Sequence, residues 1–194
     1  AMHARADSAS GKSARWAAAL CLGLLLALNP LPARAAASTE PADIAALRAS
    51  QVRSAADLRL QAIALRDTTP DRRHRAWAAL ALAEFENDLE NADASLAMLD
   101  EAQAEAEALK LPDLKFQALG VRSVVLVNRG RSEETDAALK QMKAMIDAER
   151  DADPAWRARW LHERGVLERK LGNFDASLDF FRQALNVYRR LKDP

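Results

Sequence analysis

Asn173-Phe-Asp-Ala-Ser-Leu178 recurs earlier in the chain as Asn91-Ala-Asp-Ala-Ser-Leu96. The same offset sets Phe181 over Leu99 and Ala184 over Ala102. A further copy lies midway between these two, with Gly130 under Gly172, Thr135 under Ser177 and Leu139 under Phe181. Four prolines keep the same beat: Pro70, Pro112, Pro154 and Pro194 are almost evenly spaced. Proline fits the first turn of a helix, where its missing N–H would be unpaired anyway. Each proline therefore reads as the start of a unit, and a fixed period of about 20–50 residues marks a repeat array.

In the last unit the pattern reads Gly165, Gly172, Phe174, Ser177, Phe181, Ala184. That is a small residue in a first helix, glycine at the turn, then aromatic, small, aromatic and alanine. Over roughly residues 70–194 the chain resembles the tetratricopeptide repeat family, most clearly in this last unit. It departs in period, since the family repeats at about 34 residues and here the second helix of each pair is longer. It also departs at Arg164 and Glu168, where the family is apolar; their i,i+4 spacing lets them pair on a helix face. The resemblance implies an all-α fold: an α-α superhelix, a right-handed solenoid of stacked antiparallel helical hairpins. Its inner face would be lined by the first helix of each pair.

The pattern predicts about seven helices after the leader: a long one over 42–66, then pairs at 71–89 and 92–109, 113–129 and 132–150, 155–171 and 174–191. Alanine, leucine, glutamate, arginine and lysine dominate, all strong helix formers. The β-branched run from Val121 to Val127 reads as a strand in isolation, but it lies in phase with the repeat and is taken as helix. Gly130 and Gly172 fall where a left-handed residue closes the first helix of a pair. Asn91 and Asn173, beside the turns, tolerate the same geometry.

The N-terminus has a basic lead (Arg5, Lys12, Arg15), an apolar run from Trp16 to Leu28, and the small-residue tract Ala33–Ala37. This is the layout of a secretory signal peptide, and the run falls short of the ~20 residues that span a bilayer as a helix. Cleavage after Ala35 or after Ala37 satisfies the small-residue requirement. The organisation expected is a signal peptide over 1–37, an N-terminal helical cap over 38–69, and repeats over 70–111, 112–153 and 154–194. Cys21 is the only cysteine and lies inside the leader. It follows Leu20 with the apolar run continuing, which does not fit lipid attachment. A processed chain would carry no thiol for a disulfide or a nucleophile. Its charge would be −3, since the leader takes four of the 28 basic and one of the 28 acidic residues. That balance exerts no pull toward nucleic acid or an anionic membrane.

Helix-lining positions assigned from the resemblance give a groove graded in charge. Trp77, Glu84 and Asp88 stand at an acidic end, Val121, Val124 and Asn128 in an apolar middle, and Arg159, His162, Arg169 and Lys170 at a basic end. Such a groove would orient a protein or peptide segment by charge and hold it by apolar contact. The same charges also read as solvated helix faces, and Trp77, Trp156 and Trp160 as packing residues. No catalytic, cofactor or metal site is expected: His162-Glu163 lacks a second histidine four residues on, and no phosphate-cradling glycine loop is present.

The last helix is apolar on two stripes. One is Phe174, Leu178, Phe181, Leu185 and Tyr188; the other is Phe180, Ala184, Val187 and Leu191. The chain stops at Pro194, where the period would begin another helix. The array is therefore expected to continue in a longer parent, leaving Phe180, Val187 and Leu191 open, with self-association through that edge. These features are similar to the periplasmic input regions of bacterial membrane-anchored signalling proteins, whose repeats precede a cytoplasmic diguanylate cyclase (GGDEF type) or histidine kinase. The function expected is an exported, non-catalytic module that binds a protein or peptide in the sensory part of such a protein. The alternatives are a free-standing periplasmic assembly scaffold and an accessory subunit. Neither nucleic acid nor membrane insertion of the mature fragment is expected.

Overall fold

The computed structural model describes residues 40–51, 53–149 and 152–192. The expected signal peptide and Cys21 lie outside them. Every element among the described residues is an α-helix: α1 (Ala42–Arg48), α2 (Ala55–Thr68), α3 (Arg72–Asp88), α4 (Ala92–Ala108), α5 (Pro112–Asn128), α6 (Ser132–Ala148), α7 (Pro154–Lys170) and α8 (Phe174–Lys192). Consecutive helices pack against each other, and α3 also meets α5, which meets α7. The arrangement is an α-α superhelical stack of antiparallel hairpins, with α3, α5 and α7 sharing one face. The β-branched run 121–127 is helical, inside α5.

The proline starts hold in part. Pro112 and Pro154 each occupy the first position of a helix. The Asp153 side chain caps α7 by accepting from the Ala155 N–H at 2.8 Å. Pro70 does not start a helix. It precedes Asp71, which caps α3 by accepting from the Arg73 N–H at 3.0 Å.

The single long helix expected over 42–66 is two helices, which is why eight are seen. Ser54, itself extended, caps α2: its Oγ accepts from the Asp57 N–H at 3.2 Å and donates to the Asp57 carboxylate at 2.7 Å. A serine bonded to local backbone gives the chain an alternative to continuing a helix. The break lets α1 lie against α3 separately from α2.

Turns repeat with the sequence. Gly130 (φ 71°) and Gly172 (φ 83°) are left-handed, as expected. In the first hairpin that position is Glu90 (φ 62°), not Asn91 (φ −90°), and the turn from α4 to α5 uses Lys110 at φ 54°. The asparagines do something else. Asn91 Nδ2 donates to the buried Glu86 at 2.9 Å, and Asn173 Nδ2 to the buried Glu168 at 2.7 Å. Beside them the buried hydroxyls of Ser95 and Ser177 donate across their hairpins to the carbonyls of Ala83 (2.7 Å) and Gly165 (2.8 Å). The matching sequence copies thus make matching bonds, and each bond satisfies a polar group that would be costly to bury alone.

One core cluster runs from α1 to α5 around Trp77, Leu80, Leu99 and Leu114. A second runs from α5 to α7, where Phe116 stacks on Trp156 with centroids 4.4 Å apart. The Trp160 indole donates to the Leu139 carbonyl at 3.0 Å and meets Phe180 edge-on at 6.1 Å. Arg164 bridges Asp136 of α6 and Glu168 of its own helix, the latter at 2.7 Å, so the two departures from the apolar pattern do pair.

The Trp160–Phe180 contact corrects the reading of α8. The stripe of Phe180, Val187 and Leu191, expected to lie open, is half-buried against α7, and Ala184 between them is buried. Of the other stripe, Phe174, Leu178 and Leu185 are 66, 51 and 47% exposed, while Phe181, packed against Gly165, and Tyr188 are half-buried.

Candidate functional site

The face shared by α3, α5 and α7 carries a cleft of about 160 Å³ lined by Glu84, Asn87, Asp88, Val121, Val124 and Arg159. Glu84, Asp88, Val121, Val124 and Arg159 are the groove residues named above, and Asn87 is a further inward position of the same first unit. Helical spacing brings them together: Glu84 and Asp88 are one turn apart on α3, Val121 and Val124 sit on the matching face of α5, and Arg159 reaches across from α7.

Two contacts fix the Arg159 guanidinium. It lies against Gly120, where a Cβ would stand 2.5 Å from Arg159 Nε. Its Nη1 donates to Gln117 Oε1 at 2.5 Å. Gly120 thus makes the room and Gln117 supplies the anchor.

The acidic side is less acidic than the sequence suggests. Arg48 of α1 grips Glu84 with two hydrogen bonds, Nε–Oε2 at 2.7 Å and Nη2–Oε1 at 2.6 Å. It also pairs with Glu40 at 2.7 Å and reaches Gln117 at 3.4 Å. Burial works against the Arg48 charge, but Glu84 and Glu40 outweigh it and hold the guanidinium pKa above its ordinary value. Sequence reasoning missed Arg48 because it lies outside the repeats and 36 residues from Glu84. No spacing rule connects them.

Asp88 is different. Among the described residues it has no ion-pair or hydrogen-bond partner for its carboxylate; the residue is exposed at the cleft rim, where partial desolvation, then the neighbouring Glu84, push its pKa up. The cleft therefore offers a carboxylate without a cation, an apolar floor, and an anchored guanidinium.

The remaining groove residues are not brought into the cleft. Trp77 is buried in the core at 1% exposure, which corrects its placement on the groove surface. Asn128 is exposed at the end of α5, and Arg169 and Lys170 are exposed in the last turn of α7. His162 is half-buried, its ring 5.6 Å from that of Phe181 and its Nδ1 3.5 Å from Glu163. The charge gradient thus shrinks to Asp88 facing Arg159 across the two valines.

A wider cleft of about 400 Å³ lies at the turn between α4 and α5, lined by residues including Leu111, Pro112, Lys115 and Met145. Lys115 there is bonded to Glu107 at 2.8 Å. This cleft draws on the turn and one side chain of α6, and that lysine and glutamate satisfy each other. Among the described residues no group of histidine, cysteine, aspartate and glutamate is arranged to hold a metal ion, and no helix is long and apolar enough to cross a membrane.

No protein-family model, curated protein or solved structure matches the chain.

Proposed function

We propose that the chain is a tetratricopeptide-like binding module that takes a protein or peptide segment along the face of α3, α5 and α7 and has no catalysis of its own. The observation that carries this reading is the Asp88–Val121–Val124–Arg159 cleft. Three successive hairpins contribute to it, and it presents opposite charges on either side of an apolar strip. Such a site fixes the direction of an extended segment through its charges and its register through its apolar side chains. A shallow cleft with a few convergent polar groups suits one or two side chains of a longer ligand.

The basic lead, short apolar run and Ala33–Ala37 tract support export to the periplasm, where the module would form the sensory or interaction part of a larger bacterial signalling protein. Intact mass of the protein made in a Gram-negative host should begin at Ala36 or Ser38; a full-length product in the cytoplasm would contradict export.

The binding reading is tested by panning a random peptide display library against the protein, with Val124→Arg as the counter-screen. A shared motif of one basic and one acidic residue flanking an apolar one, lost on the variant, supports it. Failure to enrich any motif, or motifs that bind the variant equally, refutes it.

A further inference from the structure

Ala81, Val121 and Glu163 hold the same place in α3, α5 and α7, nine residues after Arg72, Pro112 and Pro154, which begin those helices. The first two are buried apolar side chains, and Val121 lines the cleft. The third is a carboxylate, on a residue only 8% exposed. The repeat packs this position without a charge, and α7 has one there nonetheless.

Burying a carboxylate is costly unless a cation or several hydrogen bonds meet it. The other buried acids keep that rule. Glu86 is met by Arg59 and Asn91, and Glu168 by Arg164 and Asn173. Among the described residues Glu163 is the exception. No hydrogen bond reaches its carboxylate, and the one ionisable group paired with it is its chain neighbour His162, whose Nδ1 stands 3.5 Å away, outside ordinary hydrogen-bond range. Arg159 is one turn earlier, at the i,i+4 spacing of a helix ion pair, but its guanidinium is turned to Gln117.

The half-buried Tyr188 of α8 closes the other side of Glu163. Burial pushes the Tyr188 hydroxyl pKa up; Arg159 then draws it down and Glu163 raises it, so the phenol stands beside both charges. Sealed polar atoms without a partner do occur, in Trp77 and Gln103, but neither carboxylate oxygen of Glu163 is one of them. The acid is covered along its stem and open at its tip. Next to an aromatic ring, such a group is a receptor for a positive charge.

We infer that Glu163 is a cation-binding subsite at the α7 end of the α3–α5–α7 face, which takes the ammonium or guanidinium group of a ligand on its carboxylate beside Tyr188. The inference rests on that face being the binding surface and extends it past Arg159. A segment lying there carries a basic residue beyond the acidic one that Arg159 holds.

Amide NMR spectra of the full chain, titrated with blocked single residues, test it without any peptide recovered by panning. N-acetyl-lysine methylamide and N-acetyl-arginine methylamide should shift the amides of residues 159–163 and of Tyr188, and the uncharged N-acetyl-norleucine methylamide should not. Glu163→Gln should weaken that binding about tenfold or more, the scale of a lost charged hydrogen bond. Glu163→Val, which matches the residue at this place in α5, should abolish binding yet melt higher than wild type, because a covered charge without a partner is gone. n-Butylamine separates the sources: binding as tight as the blocked residues makes a free amine the ligand, and weaker binding a side chain. Equal shifts with norleucine, binding retained in Glu163→Gln, or a lower melt for Glu163→Val would each overturn the inference. Failed panning with these shifts intact would refute the peptide reading and leave the subsite standing.

Discussion

Arg48 of α1 and Glu84 of α3, 36 residues apart in sequence, meet in a two-bond ion pair of 2.6 and 2.7 Å at the edge of the α3–α5–α7 face. The pair ties the N-terminal helix to the stack. It also cancels one of the two carboxylates of the cleft, so that Asp88 is the acid left to a ligand. Arg48→Met keeps the aliphatic stem but strands the partly buried Glu84 and removes one partner of Glu40. It should destabilise the fold by about 2 kcal/mol, below the ~3–5 kcal/mol of a fully buried pair. Urea midpoints read this directly, and adding Glu84→Gln should recover part of the loss. Strictly additive effects of the two substitutions would show that the pair does not form.

Asp88 supplies a pH signature. Partial desolvation at the cleft rim, then the Glu84 charge, raises its carboxyl pKa. The folded state then holds that proton more tightly than the unfolded chain does. Ionised Asp88 therefore counts against folding at neutral pH, and the penalty fades as pH falls through the folded value and is gone below the unfolded one. Asp88→Asn should melt higher than wild type at about pH 7 and level with it near pH 3. A variant that melts lower than wild type at neutral pH would mean that Asp88 has a partner.

Glu90 stands at φ 62° where the later hairpins have glycine. A non-glycine residue in that region carries strain that glycine does not. Glu90→Gly should stabilise the protein by about 0.5–1 kcal/mol despite the added chain entropy of glycine. A loss of stability in chemical denaturation would contradict the turn geometry.

Two glycines separate packing from function. A Cβ on Gly165 would meet the Phe181 ring at 2.8 Å, so Gly165→Ala should cost about 1–3 kcal/mol by overpacking. The atoms nearest a Cβ on Gly120 would be those at the end of the flexible Arg159 side chain. Gly120→Ala should leave the thermal melt within a few degrees of wild type but move Arg159 off Gln117 and weaken peptide binding. Equal stability losses in both variants would argue that Arg159 is a structural residue.

The helices from α3 onward were legible to within a residue or two because their signals are local: a proline or aspartate at the start, a left-handed turn residue at the end, and a repeat that checks one copy against another. What was not legible depends on contacts distant in sequence. The alanine-rich stretch 42–66 reads as one helix, and the Ser54 cap that divides it is a single weak signal. Glu90 carried no hint of a left-handed conformation. Both stripes of α8 are apolar; Trp160 takes Phe180 of one and Gly165 takes Phe181 of the other, which leaves Phe174, Leu178 and Leu185 outward. In the candidate site the repeat register assigned Glu84, Asp88, Val121, Val124 and Arg159 to one surface, and they do line one cleft. It also assigned Trp77 there, because position in a helix pattern does not distinguish a wall of the groove from the core behind it.

The central claim is that the face of α3, α5 and α7 is the binding surface. Hydrogen–deuterium exchange of the protein with and without a peptide recovered by panning tests it most directly. The account predicts added protection at residues 84–88, 117–124 and around Arg159, with the outer helices α4 and α6 unchanged. Protection confined to α4, α6 or the turn at Leu111, with none on the cleft residues, would contradict it.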